Sequence, residues 1–178
     1  VGDPGLRERF TALIDPLRYP EHGLSDDDII EVRRIKGRVD KERLPRGADP
    51  ALHFKLGRGG LADIEWTVQL LQLRFGAQIE GLRTTQTVAA LEAAAQSDLM
   101  SVEDAGTLST AWRMATRVRN AALLARGRPT DTFPRGALEA RAVASILGYQ
   151  LDESDRALDE YLRVTRHAHA VVDRVFWG

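Results

Sequence analysis

Residues 61–75, LADIEWTVQLLQLRF, decide the fold. Leu61, Ile64, Val68, Leu71 and Phe75 fall three or four apart, and Trp66, Leu70 and Leu73 widen the stripe, so this run predicts a central, mostly buried helix. Just before it, in ALHFKLGRGG (51–60), Leu52, Phe54 and Leu56 alternate with His53 and Lys55, which predicts a short extended segment leading into a glycine-rich loop. Four or five residues cannot make a sheet alone. Further upstream, Leu6, Phe10, Leu13 and Leu17 mark a helix over 5–17, closed by Pro16 and Pro20. Ser25 and Asp28 then form a capping pattern that opens a helix to about Arg43, with Ile29, Val32, Ile35 (or Lys36) and Val39 as its buried stripe. Pro45, Gly47 and Pro50 end it. Downstream, Thr84 or Thr85 caps a helix carrying Val88, Leu91 and Ala95, and Ser101 with Asp104 starts a long helix to Arg126. Leu108, Ala111, Ala115, Val118, Ala122 and Ala125 give it a bundle seam, and Gly127 and Pro129 stop it. Two more helices follow, one over 136–147 and one over 152–176 with the stripe Leu158, Tyr161 or Leu162, Thr165, Ala168, Val172 and Val175. The expected fold is an all-α bundle of six to seven helices. It reads as a single helical domain over 1–178, with leading helices and a loop to residue 50 and the main bundle from residue 51.

A chain of 178 residues buries roughly two-thirds of its unfolded surface, enough for one core. Hydrophobic residues make up 43% and charged residues 29%, a globular rather than disordered composition. Lys and Arg (25) nearly balance Asp and Glu (26), so no excess charge points to nucleic acid or an anionic membrane. The absence of cysteine excludes thiolate catalysis and cysteine-based zinc sites, and leaves the cytoplasm as the simplest location. No run nears the ~20 apolar residues of a membrane span, and the opening VGDPGLRERF has no signal-peptide layout.

Lys55-Leu-Gly-Arg-Gly-Gly-Leu-Ala-Asp-Ile-Glu65 is the stretch where chemistry is expected. Glycines let backbone approach a ligand, and the free N–H groups of a starting helix attract anions. It is neither a Walker loop nor a dinucleotide fingerprint, because no Gly-Lys-Ser/Thr and no βαβ context accompany it. A tight turn whose Asp63 and Glu65 complement the helix dipole is an equally good reading by spacing alone. Two residues apart on a helix, those carboxylates diverge by ~200° and do not clasp one metal. The basic run Arg33, Arg34, Lys36, Arg38, Lys41 and Arg43 is interleaved with Glu31, Asp40 and Glu42, so spacing favours a solvated face laced with ion pairs. His167 and His169 lack ligand spacing, and no serine or threonine has a His–carboxylate companion.

KLGRGGLADIEWTVQLLQL (55–73) closely resembles the signature of bifunctional glutamine synthetase adenylyltransferase/adenylyl-removing enzymes, with the actinobacterial branch the nearest in character. IKGRVDKERLPRG (35–47) and EYLRVTRHAHAVVDRVFWG (160–178) extend the resemblance to nearly the whole chain. It implies the C-terminal helical domain that follows the second nucleotidyltransferase domain, which this stretch does not include. It also implies a complete enzyme that uses ATP and Mg²⁺ to attach AMP to a tyrosine of glutamine synthetase, under control of a PII-type regulatory protein. The paired aspartates that hold metals in that family have no counterpart here, so no catalytic or metal residue and no bound cofactor is expected in this stretch alone. By position in the motif, Lys55, Gly57, Arg58, Gly59, Gly60 and Asp63 are expected to line the nucleotide pocket, with Lys36 and Arg38 assisting. The alternative is a regulatory docking module that binds glutamine synthetase or a PII-type protein independently of ATP. A nucleic-acid-binding bundle ranks last.

Overall fold

Asp3 opens the first helix, α1 (Pro4–Arg18), by accepting the N–H of Leu6 at 2.8 Å. This is the first ordered turn of a computed structural model that describes residues 2–150 and 152–178, leaving Val1 and Leu151 outside the described residues. Pro16 does not close α1, which continues to Arg18. Pro16 forfeits the bond to the Ala12 carbonyl, but its fixed φ is compatible with helical backbone, so the helix runs on for two more residues. The predicted stripe is present but not buried: Leu6, Phe10, Leu13 and Leu17 stand 58–75% exposed.

Ser25 caps α2 (Asp26–Arg43) in a full capping box, its hydroxyl accepting the Asp28 N–H at 3.2 Å while the Asp28 carboxylate accepts the Ser25 N–H at 3.1 Å. Along α2 the buried positions are Ile29 and Lys36, whereas Ile35 points to solvent. The loop 44–60 leads into α3 (Leu61–Phe75), which is followed by α4 (Thr87–Gln96), α5 (Val102–Arg126), α6 (Ala137–Leu147) and α7 (Ser154–Val172). Neither Thr84 nor Thr85 is the cap of α4. The Thr84 hydroxyl instead accepts the Gln86 N–H at 3.1 Å, forming a turn one step before the helix. Ser101 does cap α5, accepting the Asp104 N–H at 3.0 Å, but the Asp104 carboxylate turns away to the Arg174 guanidinium at 2.6 Å. Gly127 and Gly148 end α5 and α6 in left-handed conformation.

The shared axis of the bundle is α5 rather than α3. It packs on α3, α4, α6 and α7. Its seam Leu108, Ala111, Ala115, Val118 and Ala122 is fully buried, and the alanines let neighbouring helices come close. α7 passes into one π turn, Asp173–Trp177. Its wider i→i+5 spacing delays the stripe by one residue, so Phe176 rather than Val175 is the buried side chain. Among the described residues, no helix is long and apolar enough to cross a membrane.

The expected extended segment shrinks to a single antiparallel bridge between His53 and Thr132, just after a short 3₁₀ turn, Pro50–Leu52. Phe54 N–H donates to Asp131 C=O at 2.7 Å and Phe133 N–H to Leu52 C=O at 2.9 Å. Strand alternation would put His53 outside, yet it is buried because segment 131–133 covers it. Its Nδ1 accepts the Leu56 N–H at 3.0 Å, and burial lowers its pKa from the ordinary 6.5. Above pH 6.5 both folded and unfolded chains carry a neutral imidazole at this position. Below it the unfolded chain takes up a proton that the fold refuses, so stability falls with pH until the folded pKa is passed. Urea midpoints should therefore drop between pH 7.5 and pH 5.5, and His53→Gln should flatten that drop. An unchanged slope in the variant would exclude this role.

Candidate functional site

Three chain segments meet at the glycine-rich loop. Gly57 and Gly59 are needed there for close approach. A Cβ on Gly57 would lie 2.3 Å from the carbonyl oxygens of both Pro50 and His53. Gly59, at φ +66°, presses against α7 so closely that a Cβ would sit 1.9 Å from the Thr165 carbonyl oxygen. No L side chain fits. Most backbone N–H groups of this loop are bonded internally: Gly57 donates to His53 C=O at 2.9 Å, Gly60 to Gly57 C=O at 2.9 Å, and Leu61 to Phe54 C=O at 2.9 Å. Ala62 N–H donates to Lys55 C=O at 2.9 Å, and Gly59 N–H to the Asp63 carboxylate at 2.7 Å. Spacing alone left these amides equally open to a ligand or to a tight turn; those named here bond the loop's own carbonyls and Asp63.

Lys36 and Asp63 are likewise engaged. The Lys36 side chain is 1% exposed, and its ammonium donates to Asp63 at 2.6 Å and to both oxygens of Asp40 at 2.5 and 2.7 Å. The Asp40 partner was available in the sequence as an i,i+4 acid on the same helix face. Arg38 is exposed and reaches Glu42 at 3.6 Å, and Arg34 pairs with Glu31 at 2.6 Å, so the basic helix face is largely the ion-pair lacework that spacing favoured. Of the eight residues that the sequence singles out, Lys55, Arg58 and Arg38 present charge to solvent, whereas Lys36, Asp63 and the three glycines are buried.

Arg58 also lines a cleft of about 310 Å³ between the end of α2, the loop and the π turn. Lys41, Leu44, His169 and Trp177 share that lining, with Asp40 and Asp63 at its inner wall. Lys55 is not part of it. His169 Nδ1 is buried with no hydrogen-bond partner among the described residues, and its Nε2 lies 3.6 Å from Asp173. Trp177 and His169 carry no motif of their own, and only the folding of the C-terminal turn onto α2 brings them here. Among the described residues no three His, Asp or Glu side chains gather as a metal cluster.

Breaking a buried ion pair leaves an unpaired charge, which costs about 3–5 kcal/mol. Lys36→Ala should lower unfolding free energy by that order, whereas Arg38→Ala, on an exposed surface, should change it by less than about 0.5 kcal/mol. Parallel urea titrations distinguish the two. Equal effects would mean that Lys36 is not held as its geometry describes.

The family model described as GlnD PII-uridylyltransferase matches residues 33–176. A bifunctional glutamine synthetase adenylyltransferase/adenylyl-removing enzyme of Streptomyces avermitilis is 57% identical over all 178 residues, and the same-named proteins of Streptomyces coelicolor and Mycolicibacterium smegmatis are 56% and 53% identical over that length. In each case the chain spans 18% of the relative's own length. The helical bundle and its glycine-rich loop thus belong to the GlnD PII-uridylyltransferase family, and the whole chain is similar to one part of the bifunctional adenylyltransferases.

Proposed function

We propose that this chain is the helical part of an enzyme that transfers AMP from ATP to a tyrosine of glutamine synthetase, and that it completes the nucleotide site beside a separate nucleotidyltransferase domain. The observation that carries the reading is the cleft of about 310 Å³ next to the glycine-rich loop, where Arg58 and Lys41 offer cations and Trp177 an aromatic side chain. Fixed cations stabilise the charge on a transferring phosphoryl group, and an indole suits a flat base. With most of the loop amides already bonded, phosphate recognition falls mainly to side chains: Arg58 and Lys41 first, with Lys55 and Arg38 at the margin. Gly57, Gly59, Gly60, Asp63 and Lys36 then act by holding that surface in place.

The two carboxylates that line the cleft, Asp40 and Asp63, are taken by the Lys36 ammonium, so the Mg²⁺ that accompanies ATP would be held by other parts of the enzyme. On this reading the chain alone transfers nothing. The names of the relatives support glutamine synthetase as the acceptor. The names of the relatives, which are those of transferases, favour this reading over a docking module for a PII-type protein.

Calorimetric titration of the full-length protein with ATP–Mg²⁺ provides the test. Arg58→Ala should weaken binding roughly tenfold, as expected for one charge-assisted contact of about 1.4 kcal/mol, with Lys55→Ala having a smaller effect. Unchanged affinity in the Arg58/Lys41 double variant would remove the cleft from the nucleotide site.

A further inference from the structure

Arg33 stands apart from the basic run in which it lies. Arg34, Lys36 and Arg38 each reach a carboxylate of their own helix, whereas the half-buried Arg33 makes no ion pair among the described residues. Its Nε donates instead to the Phe176 C=O at 2.6 Å, 143 residues away. The same guanidinium lies against Gly178, where a Cβ would sit 2.9 Å from Nη2. The carbonyl it holds belongs to the π turn Asp173–Trp177, and π turns are rare, single-turn departures from the α-helix that occur frequently at functional sites. A second tie, from the Arg174 guanidinium to Asp104 at 2.6 Å, fastens the start of the turn to α5. Phe176 itself is fully buried, edge-on to Trp66 and Trp177 at ring-centre separations of 6.5 and 4.9 Å.

We infer that Arg33 is a positioning residue for the nucleotide cleft: by holding the Phe176 carbonyl it keeps the C-terminal turn in π register, which stands Trp177 in the cleft wall, an inference that rests on the function proposed above. Arg33 does not itself line the cleft, whereas Trp177 does. The half-buried indole lies beside Gly37, where a Cβ would be 3.9 Å from its Cη2, and Gly37 is one turn on from Arg33 along the same face of α2. A return to α spacing would step each side chain by one position, about 100° around the axis, and carry the indole away from that place. Val175 is the residue that regular spacing would bury, so the core has an apolar candidate for either register. The directional bond to the Phe176 carbonyl exists in only one of them. Recognition of a flat base by an indole depends on ring orientation, so this clamp governs how well the base is held rather than the phosphates.

Titration of the full-length protein with ATP–Mg²⁺ and, in parallel, with tripolyphosphate–Mg²⁺ tests the clamp. Arg33→Ala should weaken ATP binding about tenfold, the order of one lost base–aromatic stack, while tripolyphosphate, which has no base, should bind as before. In a Trp177→Ala background the same change should have no further effect, since the clamp acts only through the indole it places. Arg33→Lys, which keeps a cationic donor, should recover most of the lost affinity. Arg33→Met, which keeps the apolar stem but not the donor, should behave as Arg33→Ala and serves where the alanine variant does not fold. Equal loss of ATP and tripolyphosphate affinity would overturn the inference, as would an Arg33→Ala effect that adds to that of Trp177→Ala, because either marks a general structural role. ATP binding weakened by Trp177→Ala but untouched by Arg33→Ala keeps the cleft as the nucleotide site and sinks the clamp alone. ATP binding indifferent to Trp177→Ala takes the base out of the cleft, and the parent reading falls with the clamp.

Discussion

The Lys36 ammonium, enclosed by Asp40 and Asp63, is the contact on which the arrangement of the leading third of the chain depends. A lysine that is 1% exposed has surrendered nearly all its hydration, and the loss is tolerable because all three of its N–H bonds find carboxylate oxygens. One carboxylate comes from the same helix and the other from the first turn of α3, so the cluster locks α2 to α3. Asp63 in turn accepts the Gly59 N–H with its second oxygen, and this fixes the turn that leads into α3. An apolar contact would tolerate sliding of α2 along the bundle. Three directional bonds to one buried cation do not.

The loop so fixed is pressed between segments far apart in sequence. Phe54 touches Phe133 and Tyr161 edge-on, at ring-centre separations of 6.4 and 5.5 Å, while the bridge at His53 ties the segment to residues 131–133. The glycines serve this closeness. At Gly59 the approach of loop to helix is backbone to backbone, and the 1.9 Å separation that a Cβ would have from Thr165 shows that the constraint comes from packing, whatever else the loop does. Packing against these neighbours accounts for glycine at position 59.

Helix number, helix ends and fold class were legible because they depend on local patterns: the capping serines Ser25 and Ser101, the terminal glycines Gly127 and Gly148, and stripes of three- and four-residue spacing. What stayed hidden depends on distance in sequence. Nothing local distinguishes the buried Lys36 from the exposed Arg38 two residues on, since the difference is made by Asp63, 27 residues away. Alternation placed His53 outside, whereas segment 131–133 covers it. The stripe of α1 was read correctly as a stripe, yet periodicity says only that a face is apolar, not which body covers it. The π turn at Asp173–Trp177 shifted the last buried position by one residue, an irregularity that periodicity cannot anticipate.

These facts together constrain how the cleft near Arg58 can recognise an anion. Amides at a helix start bind phosphate with fixed geometry and little entropic loss, but here those of Leu61 and Ala62 are bonded to carbonyls and that of Gly59 to Asp63. The remaining cations, Arg58 and Lys41, sit on long side chains that must be ordered on binding, beside Asp40 and Asp63, whose charges Lys36 offsets only in part. Such a surface binds weakly alone and improves when a second body orders the side chains and excludes water, because electrostatic attraction strengthens as local dielectric falls. On the function proposed above, a bundle that bonds most of its loop amides internally brings mainly side chains to the cleft, and their ordering falls to whatever packs beside them.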